Sequence, residues 1–401
     1  MKKIKFYFFC ILSIAVISIT SASSADAFQG NTHKFIAKQA ISISSSRYLP
    51  LTTSEYGKIV DWSEKADYYN YTNNNCYHPY TIKLNNEWGW CYEGFVAARD
   101  HFWNADTKAG LFGFWTAKDK AKDFYKHMND SYAEGKYSQA FELLGATIHL
   151  VSDMGSPAHV HNDDHSFEDF LESYVEENER WSSPNGDIPQ YPTLESYMYN
   201  LNQRASWFPS NGLTGLGLVD QGVEGNDLDE YGLRHSEWDL GPHYSVNDLF
   251  PDIYAPVRMS IADVVIPLTI KHAAGVLSLA FNDFYAIDKI KYQSKSLAPN
   301  IGEPVYDIHK WDGYWVQNYI DASGNESITI YNPNKDRVYW VHGQIWSTVY
   351  RDMGPQSRLG LPTSNEYLPN NQDNVRQDFE HGFITRSYDS DPWQAYYYLG
   401  K

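Results

Sequence analysis

Residues 141–172, FELLGATIHLVSDMGSPAHVHNDDHSFEDFLE, constrain the fold more than any other stretch, because imidazoles and carboxylates crowd there at helical-turn spacings. Phe141, Leu144, Ile148 and Val151 predict a helix that carries His149 and Asp153 one turn apart on one side, where a shared metal can bridge them. Gly155, Ser156 and Pro157 break that helix, since Pro157 has no N–H for a continuing turn. His159 lies just past the break. A second helix begins at Asp163 or Asp164, either a good N-cap, and buries a stripe of Phe167, Phe170, Leu171, Tyr174 and Val175. At about 100° per residue, Glu168 falls between that stripe and His165 while Asp169 points away, so His165 and Glu168 form the preferred ligand pair. Burying such a polar set without an ion or full pairing is costly, and the constellation is read as a metal site.

Residues 1–27 read as a secretory signal. Lys2, Lys3 and Lys5 form the charged end, residues 6–19 the apolar middle, and Ala25-Asp26-Ala27 the cleavage site, which makes Phe28 the expected mature terminus and the protein an exported one. No later stretch reads as apolar for long enough to span a bilayer. Loss of three lysines and one aspartate takes the formal charge from -18 to about -20. So acidic a surface repels phosphate backbones and argues against tight nucleic-acid binding through a basic groove. Cys10 leaves with the signal, and in an exported chain a disulfide between Cys76 and Cys91 is expected to close a Tyr/Asn-rich insertion.

The composition changes near residue 293. Before it run long helical patterns, of which residues 267–285 are the most hydrophobic and are expected in a helical core. After it come Gly, Asn, Trp and Tyr with short alternating stretches at residues 327–331 and 337–341, the mark of a β-rich module. The expected boundary lies in residues 295–303, giving a helical domain at 28–294 and the β-rich module at 304–401.

Further candidate ligands lie upstream. His33 follows Phe28 by five residues and precedes an amphipathic helix at residues 34–43. A freed Phe28 amine can bind metal once deprotonated, with its own carbonyl as a second donor. Asp67 and His101 are less informative by spacing, and Asp61 offers the same carboxylate as Asp67, so both remain open.

Asp100-His101-Phe102-Trp103 with Asp106-Thr107, then His149-x-x-x-Asp153 with Pro157-x-His159, then His165 with Phe167-Glu168, resemble the bacterial zinc-dependent phospholipases C in order and wording. The related single-strand-specific nucleases share the His-x-x-x-Asp and Pro-x-His pieces, and the step from Phe28 to His33 is closer to theirs. The resemblance covers roughly residues 28–290. It implies a mainly α protein whose all-helical domain holds up to three zinc ions. Asp67, His101, His149 and Asp153 would hold one; His159, His165 and Glu168 a second; and Phe28, His33 and the bridging Asp153 a third. Phe28 stands where family members carry Trp, the step from His165 to Glu168 is three residues where four is usual, leaving Asp169 as the other candidate, and the region between Asp67 and His101 is longer than the family's. The implied activity is hydrolysis of the glycerol-phosphate bond of phospholipids at a membrane surface by a zinc-activated water, with Asp67 assisting deprotonation. A nuclease of the same fold and a noncatalytic envelope-binding protein are the other readings.

At the C-terminus, Gly343-Gln-Ile-Trp346, Tyr350, Gly354, Ser357, Leu359-Gly-Leu-Pro362-Thr-Ser-x-Glu366 and Phe379-Glu-x-Gly382-x-Ile384 resemble an LGFP repeat of extracellular, envelope-associated proteins. Gly and Pro punctuation fits a small β-rich module whose aromatics can stack on sugars, so a cell-wall or glycan partner is expected there.

Overall fold

The computed structural model describes residues 30–44, 51–73, 88–92, 99–113, 115–163, 170–177, 181, 184, 186–208, 210, 255–297, 301–369, 374–387 and 395–399. The chain divides into two compact units. The first comprises Met1–Ser45, Leu51–Lys126 and Phe141–Leu279, and the second Ser46–Pro50, His127–Ala140 and Ala280–Lys401.

The first unit is built on helices. α1 (Gly30–Ile43) buries Thr32, His33, Ile36, Ala37 and Ala40, a helical stripe that carries His33 inward. α2 (Thr53–Lys65) starts at a capping box, in which Thr52 N–H donates to Glu55 at 2.6 Å while Glu55 N–H donates to the Thr52 hydroxyl at 3.3 Å. After α2, β1 (Tyr69–Asn73) and β2 (Trp88–Tyr92) pair antiparallel, and Trp90 stacks on Trp62 at 3.9 Å. α3 (Ala117–Ala133) and α4 (Tyr137–Asp153) follow. Gly145 on α4 meets α2 so closely that a β-carbon there would stand 2.5 Å from the Ile59 carbonyl oxygen, and only glycine permits that approach.

The break after α4 falls where the sequence places it. Pro157 opens α5 (Pro157–Val160), one turn long, at a position where its missing N–H costs no helical bond. α6 is described over Phe170–Glu177 and α7 over Leu194–Ala205, the latter capped by Thr193. The proposed helix start at Asp163 or Asp164 cannot be followed, because residues 164–169 lie outside the described residues.

α8 (Ala255–Leu297) runs for 43 residues and contains the hydrophobic stretch expected in the core, with Pro267 inside it. Within α8, Arg258–Ser294 is long and apolar enough to cross a membrane, which corrects the reading that no later stretch qualifies. Its apolar window is 72% buried inside the protein, so other parts of the chain cover what lipid would otherwise have to.

In the second unit, β3 (Glu303–Pro304), β4 (His309–Trp311), β5 (Tyr314–Ile320), β6 (Glu326–Asn332) and β7 (Arg337–Val341) form an antiparallel sheet. Its order is β3-β5-β6-β7, with β4 also paired to β5. A π-helical turn at Ile345–Tyr350 leads into α9 (Arg351–Met353). β8 (Asn374–Phe379), β9 (Gly382–Ser387) and β10 (Ala395–Leu399) make a second sheet in the order β10-β9-β8. Val316, Ile330, Trp346, Tyr350, Leu361 and Phe379 from these pieces share one apolar core. That corrects the expectation for two aromatics of the repeat-like motif: Trp346 and Tyr350 are 4% and 0% exposed, packed inside rather than available to sugars.

Candidate metal centre

His33, Asp67, His101, His149, Asp153 and His159 come from five places in the first unit, and none is more than 1% exposed. α1 supplies His33, α4 supplies His149 and Asp153, and α5 supplies His159; Asp67 follows α2, and His101 precedes α3. The close crossing at Gly145 sets the end of α2 against α4 and places Asp67 Oδ1 3.1 Å from His149 Nε2. Asp61 on α2 is exposed, so of the two carboxylates left open by the sequence, Asp67 is the one at the cluster.

Three of the imidazoles are each held by their Nδ1. His149 Nδ1 donates to the Ser63 carbonyl at 2.8 Å and His159 Nδ1 to the His101 carbonyl at 2.9 Å, since a carbonyl can only accept. His33 Nδ1 lies 2.7 Å from Ser152 Oγ. That hydroxyl donates its own hydrogen to the His149 carbonyl at 2.7 Å, so it accepts from His33. For His33 and His149, Nε2 is thereby turned toward carboxylates: His33 Nε2 is 3.5 Å from Asp153 Oδ1, and His149 Nε2 is 3.4 Å from Asp153 Oδ2. Either a proton or a metal cation must sit between such nitrogen and oxygen atoms.

His101 is oriented differently. Its Nδ1 is 3.0 Å from His149 Nε2, 3.2 Å from Asp153 Oδ2 and 3.6 Å from Asp67 Oδ1. Its Nε2 is 3.2 Å from the Lys120 ammonium nitrogen. Burial, and then the positive charge of Lys120, hold the His101 imidazole well below the usual histidine range, so it is neutral at pH 7. Phe102 stacks on the His159 ring at 4.1 Å and 7°, which fixes that ring beside His101.

Two sets of ligand atoms lie within 4.8 Å of one another: His33, Asp67 and His149, and His101, His149 and Asp153. Four donors at ~2.0–2.1 Å from a tetrahedral zinc stand about 3.3 Å apart, and the His-to-Asp contacts of 3.1–3.6 Å bracket that value. The mixed imidazole and carboxylate donors suit zinc. Asp153 turns Oδ1 toward His33 and Oδ2 toward His101 and His149. His159 is buried next to His101 but belongs to neither set, and its proposed companions His165 and Glu168, with the other candidate Asp169, lie outside the described residues. Phe28 does too.

Sequence reasoning missed Lys120, Ser63 and Ser152. Lys120, 2% exposed, interrupts the stripe of Ala117, Ala121, Phe124 and Met128 on the buried face of α3. A lysine at a core position of an amphipathic helix is the signal that could have found it. Ser63 acts through its backbone, which no side-chain pattern announces.

Cys91 on β2 is buried and disulfide-bonded, and its expected partner Cys76 lies outside the described residues.

No family model matches the chain. A stretch of 63 residues is 36% identical to the phospholipase C of Listeria monocytogenes serovar 1/2a (strain ATCC BAA-679 / EGD-e). That stretch is 16% of this chain, and the chain spans about a fifth of the relative's length, 22%. Among solved structures, the alpha toxin of Clostridium absonum is similar at a TM-score of 0.37 and 12% identity, covering 94% of this chain and 100% of the toxin. The Clostridium perfringens alpha-toxin of avian strain SWCP gives 0.38 and 14% over the same shares. Likenesses at this level do not fix the fold.

Proposed function

We propose that this chain is a secreted, zinc-dependent phospholipase C that hydrolyses the glycerol-phosphate bond of phospholipids at a membrane surface. The observation that carries the reading is the buried set of three imidazoles and two carboxylates at the spacing of zinc ligands. The 63-residue similarity to a phospholipase C supports the choice of reaction, and the charged end, apolar middle and A-x-A site of residues 1–27 support export.

His33, Asp67, His101, His149 and Asp153 would hold zinc, with His159 contributing together with the residues beyond Asp163. When bound, zinc supplies Lewis acidity toward phosphoryl oxygens and makes water nucleophilic near neutral pH. Asp153 joins the imidazoles of three separate segments through its two oxygens. The Ser63 carbonyl and the Ser152 hydroxyl hold His149 and His33 in one orientation and one tautomer. Asp67, buried and facing His149, would assist by accepting a proton from the attacking water.

Metal analysis of the secreted protein should find two or three zinc ions. Parallel assays on phosphatidylcholine vesicles and single-stranded nucleic acid, each with a chelator control, decide the substrate. Chelator-sensitive release of diacylglycerol is expected. Turnover of nucleic acid alone would assign a nuclease, and turnover of neither, with binding to isolated cell walls, an envelope-binding protein.

A further inference from the structure

We propose that a cleft beside the five-stranded sheet of the second unit binds carbohydrate, as a neutral pyranoside. This stands apart from the catalytic reading. The cleft has a volume of about 600 Å³, inside the ~300–1,000 Å³ of small-molecule sites. Ser327 on β6, Trp340 on β7 and Gln344, just before the π-helical turn, line it together with Ile301.

The charges around the cleft are engaged with one another. Arg351 is 3.4 Å from Glu326, and Arg386 is 3.4 Å from the buried Glu366. Asp321 accepts from the backbone N–H groups of Ser323 and Asn325, each at 2.8 Å. A phosphate or carboxylate ligand would have to displace carboxylates already in place, which disfavours an anion.

Neutral groups remain. The Ser327 hydroxyl belongs to a residue 4% exposed, and it, the Trp340 indole N–H and the Gln344 amide oxygen are buried atoms with no hydrogen-bond partner among the described residues. They are one hydroxyl, one donor and one acceptor, drawn from three segments that meet at one cleft. A ligand matching them must offer donors and acceptors at short intervals, and ring hydroxyls do both. Ile301 and the half-buried Trp340, whose ring stacks on His342 at 3.6 Å, form the apolar part of the wall.

The test uses the full-length secreted protein with its zinc. Calorimetric titration with chitobiose, cellotriose, maltotriose and mannobiose should show saturable binding of at least one. Ser327→Ala and, separately, Gln344→Ala should each weaken it about tenfold, with zinc content, phospholipid turnover and thermal melting unchanged. Gln344 is half-buried, so its variant keeps the test valid if the Ser327 variant folds poorly. Capture on insoluble peptidoglycan, reversed by the soluble sugar, would place the ligand in a wall polymer; capture on galactolipid vesicles would place it in a lipid headgroup; either supports the proposal. Absence of binding by every sugar at millimolar concentration overturns it, as does binding that neither substitution weakens.

Discussion

The centre of the first unit and the cleft of the second both keep polar side chains from water, and they resolve the cost differently. At the centre, backbone carbonyls and a serine hydroxyl hold one nitrogen of His33, His149 and His159. In the second unit, burial pushes Glu366 up to about 7 despite Arg386, and lowers His342 to about 4. Both regions suppress imidazole charge. At the centre, imidazoles from separate segments meet two buried carboxylates, and such a set calls for a cation between them.

Asp153→Asn should have the largest effect on this contrast. One oxygen is lost from a group that faces three imidazoles, so zinc content should fall and turnover drop more than about a hundredfold. Elemental analysis and rate measurements on one preparation check it; an active, zinc-replete variant would break the comparison.

Trp346→Ala in the core of the second unit should act on stability instead, by about 3–5 kcal/mol, with zinc content per folded protein unchanged. Denaturant unfolding with metal analysis measures both.

His272 sharpens the electrostatic half. It is buried in the first unit, its Nδ1 donating to the Leu268 carbonyl at 2.8 Å, and burial lowers it to about 4. The unfolded chain takes up a proton as pH falls through about 6.5, whereas the folded chain does so only near 4, so the fold loses stability across that window. The loss attributable to this group is about 3 kcal/mol between pH 7 and pH 4. His272→Gln should remove that part of the pH dependence in denaturant titrations at pH 7, 5.5 and 4.

Gly145→Ala should cost about 1–3 kcal/mol, because the new methyl group must push α2 from α4. It should also weaken zinc binding, since Asp67 and His149 lie at the ends of those two helices. A stability loss with unaltered zinc affinity would show that the crossing does not position the centre.

The local features of this protein were legible in its sequence because they rest on short-range geometry. The helical period puts His149 and Asp153 on one side of α4, Pro157 cannot continue that helix, and the stretches at 327–331 and 337–341 fall within β6 and β7. The sequence also contained every imidazole and carboxylate of the cluster. Tertiary structure decided which of them meet. It buried Asp67 and left Asp61 exposed, joined His33 to Ser152 across 119 positions, and set Lys120 against His101. It also covered the long apolar helix with protein and drew Trp346 and Tyr350 into a core. Periodicity reports which face of an element a residue occupies, whereas burial and pairing depend on what packs against that face, and the chain settles that only when distant segments come together.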